Sequence, residues 1–195
     1  MVCKIDKDEI GLLRAKDLTR FLLTNKLREG EEENVKNVKV FIMDVDGTMT
    51  DGKIYMGASG ELFKVFDIKD GYGIHEILPK SGVATAIVTA KESVIVANRA
   101  KQLEINYVYQ NISDKLAVLK DISDKCKCDA SEFAYIGDDM LDLEAMKACG
   151  VSGCPANAVD DVKKQATHVC KSEGGAGAVR EFIEWLDTNK YFAQN

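Results

Sequence analysis

The stretch Val38-Lys39-Val40-Phe41-Ile42-Met43-Asp44-Val45-Asp46-Gly47-Thr48 decides the fold of this chain. Its apolar residues form a short run that ends at Asp44, which is typical of a buried parallel strand. Two carboxylates then follow, two residues apart, on a turn that Gly47 allows to bend sharply. The stretch therefore predicts a buried strand whose carboxyl end carries acidic side chains that can face one pocket.

Downstream of this strand, apolar strands and helical segments alternate. This order indicates an α/β fold with a doubly wound, mostly parallel sheet. The predicted elements are strand Val83–Val88, helix Glu92–Leu103, strand Tyr107–Tyr109, helix Asp114–Ser123, strand Phe133–Ile136, helix Leu141–Lys147, strand Val151–Ser152, helix Ala158–Gln165 and helix Ala176–Asp187.

Two segments lie outside this alternation. Gly52–Tyr55 and Leu62–Phe66 flank Gly57-Ala58-Ser59-Gly60 and predict a small β-hairpin insertion, too short to be a cap domain. Residues 1–36 carry an amphipathic helical pattern followed by a charged run, which predicts a helical N-terminal extension. We therefore expect one domain over residues 37–195.

Composition narrows the class of protein. The chain has 195 residues and a net charge of −6, and its Lys and Arg residues are scattered, so neither nucleic acid nor an anionic membrane is an expected partner. No apolar run approaches the ~20 residues of a membrane span, and the N-terminus lacks the apolar core of a signal peptide, so we expect a cytoplasmic location. The six cysteines have no disulfide-rich spacing and are expected to be reduced thiols.

Carboxylates follow a second predicted strand as well. Gly137-Asp138-Asp139-Met140-Leu141-Asp142 comes directly after Phe133–Ile136, as Asp44 and Asp46 follow the first strand. Because the carboxyl ends of parallel strands meet at one edge of a sheet, these acidic groups should converge. Crowded carboxylates need a compensating cation, and Mg²⁺ prefers oxygen ligands, so a magnesium site is predicted. The alternative is that these residues only cap backbone N–H groups or begin a helix.

Two further polar residues occupy suggestive positions. Thr89 ends the strand Val83–Val88, where a hydroxyl and neighbouring backbone N–H groups can hold phosphate oxygens. Lys115 begins a helix, where the helix dipole disfavours a cation, so another role for its charge is indicated. Taken singly, Thr89 also fits an ordinary strand end and Lys115 a solvated surface lysine.

Taken in order, these four elements resemble the motifs of the haloacid dehalogenase superfamily of phosphohydrolases. The hairpin and the runs Lys69-Asp70-Gly71-Tyr72-Gly73-Ile74 and Gly174-Gly175-Ala176-Gly177-Ala178-Val179-Arg180 look like its capless branch, the 3-deoxy-D-manno-octulosonate 8-phosphate phosphatases and their sialic-acid-type relatives. The resemblance covers about residues 38–187. It implies a Rossmann-like core, Mg²⁺, a small sugar-acid phosphate as substrate, a place in lipopolysaccharide biosynthesis, and a homotetramer whose neighbouring subunits help to close each active site.

The resemblance also implies a role for each matching residue. Asp44 becomes the nucleophile and a metal ligand, and Asp46 becomes the acid/base, which also offers its backbone carbonyl to the metal. Asp138 completes the metal ligands, and Lys115 binds the transferring phosphoryl group. Two residues support the acidic loop, namely Asp139 and Asp142. Five positions are implied to bind substrate: Thr48, Thr89, Lys91, Arg99 and Arg180.

One departure from the family pattern bears on the substrate. Lys91 stands where the octulosonate enzymes commonly carry Arg and the sialic-type enzymes Glu, and Ala90 replaces a common Gly. The positive charge of Lys91 favours 3-deoxy-D-manno-octulosonate 8-phosphate over a sialic-type 9-phosphate. A third reading is a non-catalytic oligomerisation module, related to the domain fused to cytidylyltransferases in sialic-acid activation.

Overall fold

The structure is a computed structural model, and it describes residues 37–193. The helical extension predicted over residues 1–36 lies outside these described residues. Within residues 37–193, no helix combines the length and the apolar character that crossing a membrane requires.

Eight strands in residues 37–193 form two sheets. They are β1 Val40–Met43, β2 Tyr55–Gly57, β3 Gly60–Phe63, β4 Ala84–Val88, β5 Tyr107–Tyr109, β6 Phe133–Ile136, β7 Val151–Cys154 and β8 His168–Val169. Six of them make a parallel sheet in the order β5-β4-β1-β6-β7-β8, while β2 and β3 form a separate antiparallel hairpin. The first strand of the chain thus lies inside the sheet, between β4 and β6.

The described part of the chain also contains six helices, of which the first five lie between strands and the sixth follows the last strand. They are α1 Ile68–Tyr72, α2 Val94–Gln102, α3 Lys115–Cys126, α4 Met140–Ala148, α5 Asp160–Gln165 and α6 Ala178–Thr188. The first of them continues through a π-helical turn, Gly73–Ile77, into a final turn at Leu78–Lys80, and a short 3₁₀ helix at Ala130–Glu132 precedes β6.

Alternating side chains of β1 divide the core into two layers. Phe41 and Met43 belong to one buried cluster, which includes residues of α2 and α6 such as Phe182. Val40 and Ile42 belong to the other, which includes residues of α3, α4 and α5. Because successive strand residues point to opposite faces, a strand covered on both sides must be apolar throughout. The predicted doubly wound α/β fold is confirmed.

The strands of the hairpin differ from the predicted ranges by two to three residues. They lie closer to the turn than Gly52–Tyr55 and Leu62–Phe66, because Gly57 and Gly60 pair with each other across the ladder. The turn therefore contains only Ala58 and Ser59. Within the described residues this hairpin is the whole insertion between β1 and α1, in agreement with the absence of a cap domain.

Three elements were not predicted at all: the helical segment that starts with α1, the short 3₁₀ helix at Ala130–Glu132, and β8. The helical segment that starts with α1 was missed because it contains two glycines and a proline, and β8 was missed because it has only two residues. Strands β5 and β6 have the predicted boundaries, and the boundaries of the other elements differ from prediction by at most three residues. Helix α6, for example, starts at Ala178 instead of Ala176, since Gly177 has a φ of 101°.

The two ends of the domain lie side by side. The backbone N–H of Val38, just before β1, donates a hydrogen bond of 2.7 Å to the carbonyl of Tyr191, just after α6. The side chain of Phe192 is 3% exposed and packs in the same cluster as Val38. The last described residues therefore belong to the core.

Close packing of α6 on β7 leads to a first prediction. A methyl group at Gly153 would lie 2.7 Å from the ring of the fully buried Phe182. We expect Gly153→Ala to lower the free energy of unfolding by about 1–3 kcal/mol through overpacking. Phe182→Leu removes the ring, so the double variant should be less destabilised than the sum of the two single variants. Denaturant unfolding of all four proteins measures this, and strictly additive effects would contradict it.

Candidate active site

The turn after β1 brings Asp44 to the carboxyl edge of the sheet. The N–H of Asp44 donates to the carbonyl of Ile136 at 3.0 Å, so the ladder between β1 and β6 extends up to the turn. The N–H groups of Thr48, Met49 and Thr50 then all point to the carbonyl of Val45. This compact turn leaves the carboxylate of Asp44 nearly buried, with 5% of the residue exposed.

A buried lysine compensates the charge of Asp44. Lys115 is the first residue of α3, and its Nζ lies 2.5 Å from Asp44 Oδ1 and 2.7 Å from Asp142 Oδ1. Burial opposes the charged form of Lys115, but the two carboxylates outweigh this effect and raise its pKa. The side chain of Lys115 therefore lies buried and charged between two acidic groups.

Asp142 accepts hydrogen bonds on both oxygens. Oδ1 accepts hydrogen bonds from Lys115 Nζ and from the hydroxyl of Tyr135, at 2.7 and 2.8 Å. Oδ2 receives the backbone N–H groups of Asp138 and Asp139, at 3.2 and 3.3 Å. Four donors use the acceptor capacity of a carboxylate. Asp142 thus fixes the acidic loop and Lys115, in keeping with its predicted supporting position, and Asp139 caps α4.

Asp138 lies against the turn of the first motif. Thr48 Oγ1 donates to Asp138 Oδ1 at 2.9 Å, and any side chain at Gly47, whose φ is 99°, would overlap the Asp138 carboxylate. The two acidic strand ends can approach this closely only because position 47 has no side chain.

Three carboxylates at this edge suit a divalent cation. Oxygens of Asp44, Asp138 and Asp142 lie within 4.8 Å of one another. Burial and the charge of Asp142 raise the pKa of Asp44 to about 8, and burial raises the pKa of Asp138 to about 6. Among the described residues, no hydrogen bond reaches Oδ2 of Asp44 or Asp138. The carboxylates of Asp44 and Asp138 therefore fit the ligand set that Mg²⁺ prefers, whereas Asp142 is already saturated.

The side chain of Asp46 is not part of this cluster. It forms an ion pair with Lys64, which follows β3 and also pairs with Glu61 at 2.8 Å. The predicted contribution of Asp46 to the metal site is through its backbone carbonyl, which the orientation of the side chain leaves unaffected.

A glycine-rich segment packs on the same turn. The N–H of Gly175 donates to the carbonyl of Thr48 at 3.1 Å, and that of Gly174 to Asn157 Oδ1 at 2.9 Å. A side chain at Gly174 would overlap the carbonyl oxygen of Gly47. These glycines therefore serve close packing of the segment on the turn after β1.

The predicted substrate-binding residues are divided between two places. Thr48 and Thr89 are buried at strand ends of the sheet, and Lys91 is exposed just after Thr89. Arg99 instead bonds to Gln102 at 2.8 Å and lies over Phe66.

Arg180 also lies apart from the carboxylates. It pairs with Glu184 at 2.6 Å and lies over the ring of Tyr72, with its carbon Cζ 4.8 Å from the ring centre. The contacts of Arg99 and Arg180 are thus near α1, and neither arginine contacts the Asp44 cluster within one chain.

Two residues of the site were missed in the sequence. Tyr135 reads as one more apolar core residue of β6, and its hydroxyl partner Asp142 lies one helical turn beyond the strand. Lys64 reads as a polar hairpin residue, and nothing in its spacing indicates Asp46, which is 18 residues away. Both partnerships depend on tertiary packing.

Several known proteins are similar to this chain in sequence and in fold. A family model described as haloacid dehalogenase-like hydrolase matches residues 83–183. The chain is 39% identical over 154 residues to a 3-deoxy-D-manno-octulosonate 8-phosphate phosphatase of Yersinia pestis, covering 79% of this chain and 82% of that relative. The crystal structure of the Yersinia pestis phosphatase has a TM-score of 0.76 at 38% identity, covering 80% of this chain and 84% of that one.

A further solved structure includes bound molecules. It is the 3-deoxy-D-manno-octulosonate 8-phosphate phosphatase of Moraxella catarrhalis in complex with a magnesium ion, a phosphate ion and a KDO molecule. Its TM-score is 0.76 at 32% identity, and the match covers 89% of this chain and 94% of that one. This chain therefore belongs to the haloacid dehalogenase-like hydrolases and, among them, to the family of the 3-deoxy-D-manno-octulosonate 8-phosphate phosphatases.

Proposed function

We propose that this protein is a Mg²⁺-dependent phosphomonoesterase that hydrolyses 3-deoxy-D-manno-octulosonate 8-phosphate through an aspartyl-phosphate on Asp44. The contact of Lys115 with both Asp44 and Asp142 carries this proposal. A buried ammonium that orients one carboxylate oxygen leaves the other oxygen of Asp44 for attack on phosphorus. We infer the identity of the substrate from the family relationship, because the relatives are named for this phosphate ester.

The proposed reaction has two displacements at phosphorus. Asp44 Oδ2 attacks the phosphorus, the bond to the sugar oxygen breaks, and Asp46 gives a proton to that oxygen. Water then attacks the phosphorus of the aspartyl-phosphate while Asp46 takes a proton from it, which releases inorganic phosphate and restores Asp44. Proton transfer by a positioned side chain contributes typically about 10²–10⁴-fold to the rate.

Charge stabilisation completes this mechanism. Asp44, Asp138 and the backbone carbonyl of Asp46 would hold Mg²⁺, which when bound neutralises negative charge on the phosphoryl group. We assign Lys115 and the hydroxyl of Thr89 to binding of the phosphoryl oxygens. The hydroxyl of Thr48 already donates to Asp138, which favours a part in orienting that ligand over direct contact with substrate.

We also propose that the active form is a homotetramer. Large apolar side chains on and near the hairpin are exposed, including Met56 at 64%, Leu62 at 58% and Ile68 at 83%. Such a patch is typical of a protein interface. Because Arg99 and Arg180 do not reach the Asp44 cluster of their own chain, we assign them to the sugar carboxylate in the site of a neighbouring subunit, with Lys91 in its own site.

Residues 37–195 form the catalytic domain in this proposal, and the protein acts in the cytoplasm. The described cysteines are free thiols, which a reducing compartment maintains. A small anionic metabolite as substrate agrees with the scattered surface charge.

The substrate prediction is tested by phosphate release from purified protein with Mg²⁺. We expect turnover of 3-deoxy-D-manno-octulosonate 8-phosphate to exceed that of sialic-type 9-phosphates and of hexose phosphates. Preference for a 9-phosphate would assign the protein to the sialic-acid-type relatives. Absence of phosphate release from every substrate would favour the non-catalytic oligomerisation module.

Asp44→Asn is the matched control for this panel. It should abolish turnover without loss of the thermal unfolding transition, because neutralising one of three crowded carboxylates relieves repulsion. Loss of folding together with activity would mean that Asp44 is structural.

The raised pKa values predict the pH dependence of Mg²⁺ binding. Protons compete with the metal at Asp138, whose pKa is about 6, and at Asp44, whose pKa is about 8. The stabilisation by Mg²⁺ should therefore be large at pH 8 and should decrease as the pH falls through 6. In the metal-free protein the sign is opposite: raised carboxylate pKa values cost stability as the pH rises from 4 to 8.

Thermal unfolding with and without Mg²⁺ at several pH values measures this effect. Asp138→Asn is the control and should remove the Mg²⁺ shift at every pH. A Mg²⁺ shift that is equal at pH 5 and pH 8 would contradict the assigned ligands.

The tetramer is tested on the hairpin. We expect the double variant Met56→Glu and Leu62→Glu to dissociate the assembly, because charge at an apolar interface opposes association. Light scattering after size-exclusion chromatography gives the mass. Val169→Glu, at a residue 41% exposed on the edge strand, is the control and should leave the mass unchanged. A monomeric wild-type protein with full activity would contradict the proposal.

A further inference from the structure

Lys64 has a buried side chain next to a hairpin whose strand residues are all at least partly exposed. Its side chain is 3% exposed, whereas the neighbouring Leu62 and Phe63 are 58% and 49% exposed. Burying an ammonium costs several kcal/mol unless its charge is well paired, so packing alone does not account for a lysine here. Its burial also excludes direct contact with a bound substrate in this arrangement.

The amine of Lys64 joins two carboxylates from different segments. One is Asp46, on the turn after β1, and the other is Glu61, within β3 at 2.8 Å. The side chain of Asp46 is 25% exposed, so it is anchored on one side and open to solvent on the other. A half-open carboxylate held by a fixed partner is suited to exchanging protons with a ligand.

Glu61 is in turn hydrogen-bonded to the segment between β4 and α2. Ser93 Oγ donates to Glu61 Oε2 at 2.8 Å, and the N–H of Ser93 donates to Gln110 Oε1 at 2.7 Å. Ser93 precedes α2 and lies two residues after Lys91. The sequence of contacts Asp46–Lys64–Glu61–Ser93 thus connects the acid/base turn, the hairpin and the segment after β4.

We propose that Lys64 is a positioning residue, which holds the Asp46 carboxylate in the orientation from which it exchanges a proton with the leaving oxygen. This inference rests on the proposed function, in which Asp46 is the acid/base. Catalytic groups lose much of their effect when their geometry is not held by neighbouring contacts. Because Lys64 and Glu61 belong to the hairpin, the hairpin also sets the geometry of Asp46.

The test compares two leaving groups in the Lys64→Met variant. Met fills the space of the Lys stem and removes the charge. We expect kcat/KM for the sugar phosphate, whose alkoxide needs a proton, to fall by about 100-fold, within the range for acid catalysis. With p-nitrophenyl phosphate, whose leaving group needs no proton, the loss in kcat/KM should be less than about tenfold, since kcat/KM reports the first displacement. Lys64→Arg should restore part of the activity on the sugar phosphate.

Two further variants serve as controls. Lys80→Met removes an exposed lysine that pairs with Glu76 at 3.0 Å, and it should change neither substrate's kcat/KM. Glu61→Gln removes the charge of the second partner of Lys64. It should produce the same difference between the two leaving groups, with a smaller loss of kcat/KM. If Lys64→Met does not fold, Glu61→Gln provides the test. Equal losses on both substrates, or no loss on either, would overturn the proposal and make Lys64 structural.

A second measurement is independent of turnover. If the wild-type protein hydrolyses neither substrate, the proposed function fails, and crystal structures of wild type and Lys64→Met decide the positioning role. The carboxylate of Asp46 should face Lys64 in the wild type and turn away or take several orientations in the variant. An unchanged Asp46 side chain in the variant would overturn the inference.

Discussion

The ammonium of Lys115 between Asp44 and Asp142 is the contact on which the site depends. Three carboxylates meet at the carboxyl edge of the sheet, and at short range in a poorly solvated place their repulsion amounts to several kcal/mol. Lys115 is 3% exposed and lies within 2.7 Å of two of them. Its position at the first turn of α3 costs helix-dipole energy, which the two ion pairs more than offset.

The rest of the edge is arranged around this compensation. Tyr135 and two backbone N–H groups saturate Asp142, so that the remaining negative charge is concentrated on Asp44 and Asp138. Gly47 and Gly174 allow three loops to approach one another without side chains between them. A side chain at either glycine would overlap a neighbouring loop, and its absence lets the acidic side chains of two strand ends lie close together.

Much of this arrangement could be predicted from the sequence, because apolar runs that end in acidic residues are local signals. The strands before Asp44 and Asp138, their common edge and the metal-binding chemistry all follow from periodicity and the geometry of parallel sheets. The ion pair of Asp46 with Lys64 and the directions of Arg99 and Arg180 could not be predicted. They depend on where the hairpin and α1 pack. The hairpin was predicted at the right place in the chain, but its strand bounds were two to three residues too far from the turn, because Gly57 and Gly60 close the ladder instead of lying within the turn.

The hydrogen bond between Val38 and Tyr191 has a consequence for how this domain can be joined to others. A chain that enters and leaves at one point behaves as an insertable module: a host protein could accept it within a surface loop without separating the ends of that loop. The same proximity would permit a circular permutant in which a short linker joins the old ends and new ends open in a surface turn such as Ala58-Ser59. The carboxyl edge that holds the catalytic groups would keep its strand order in either rearrangement, because all six parallel strands lie between the two joined residues.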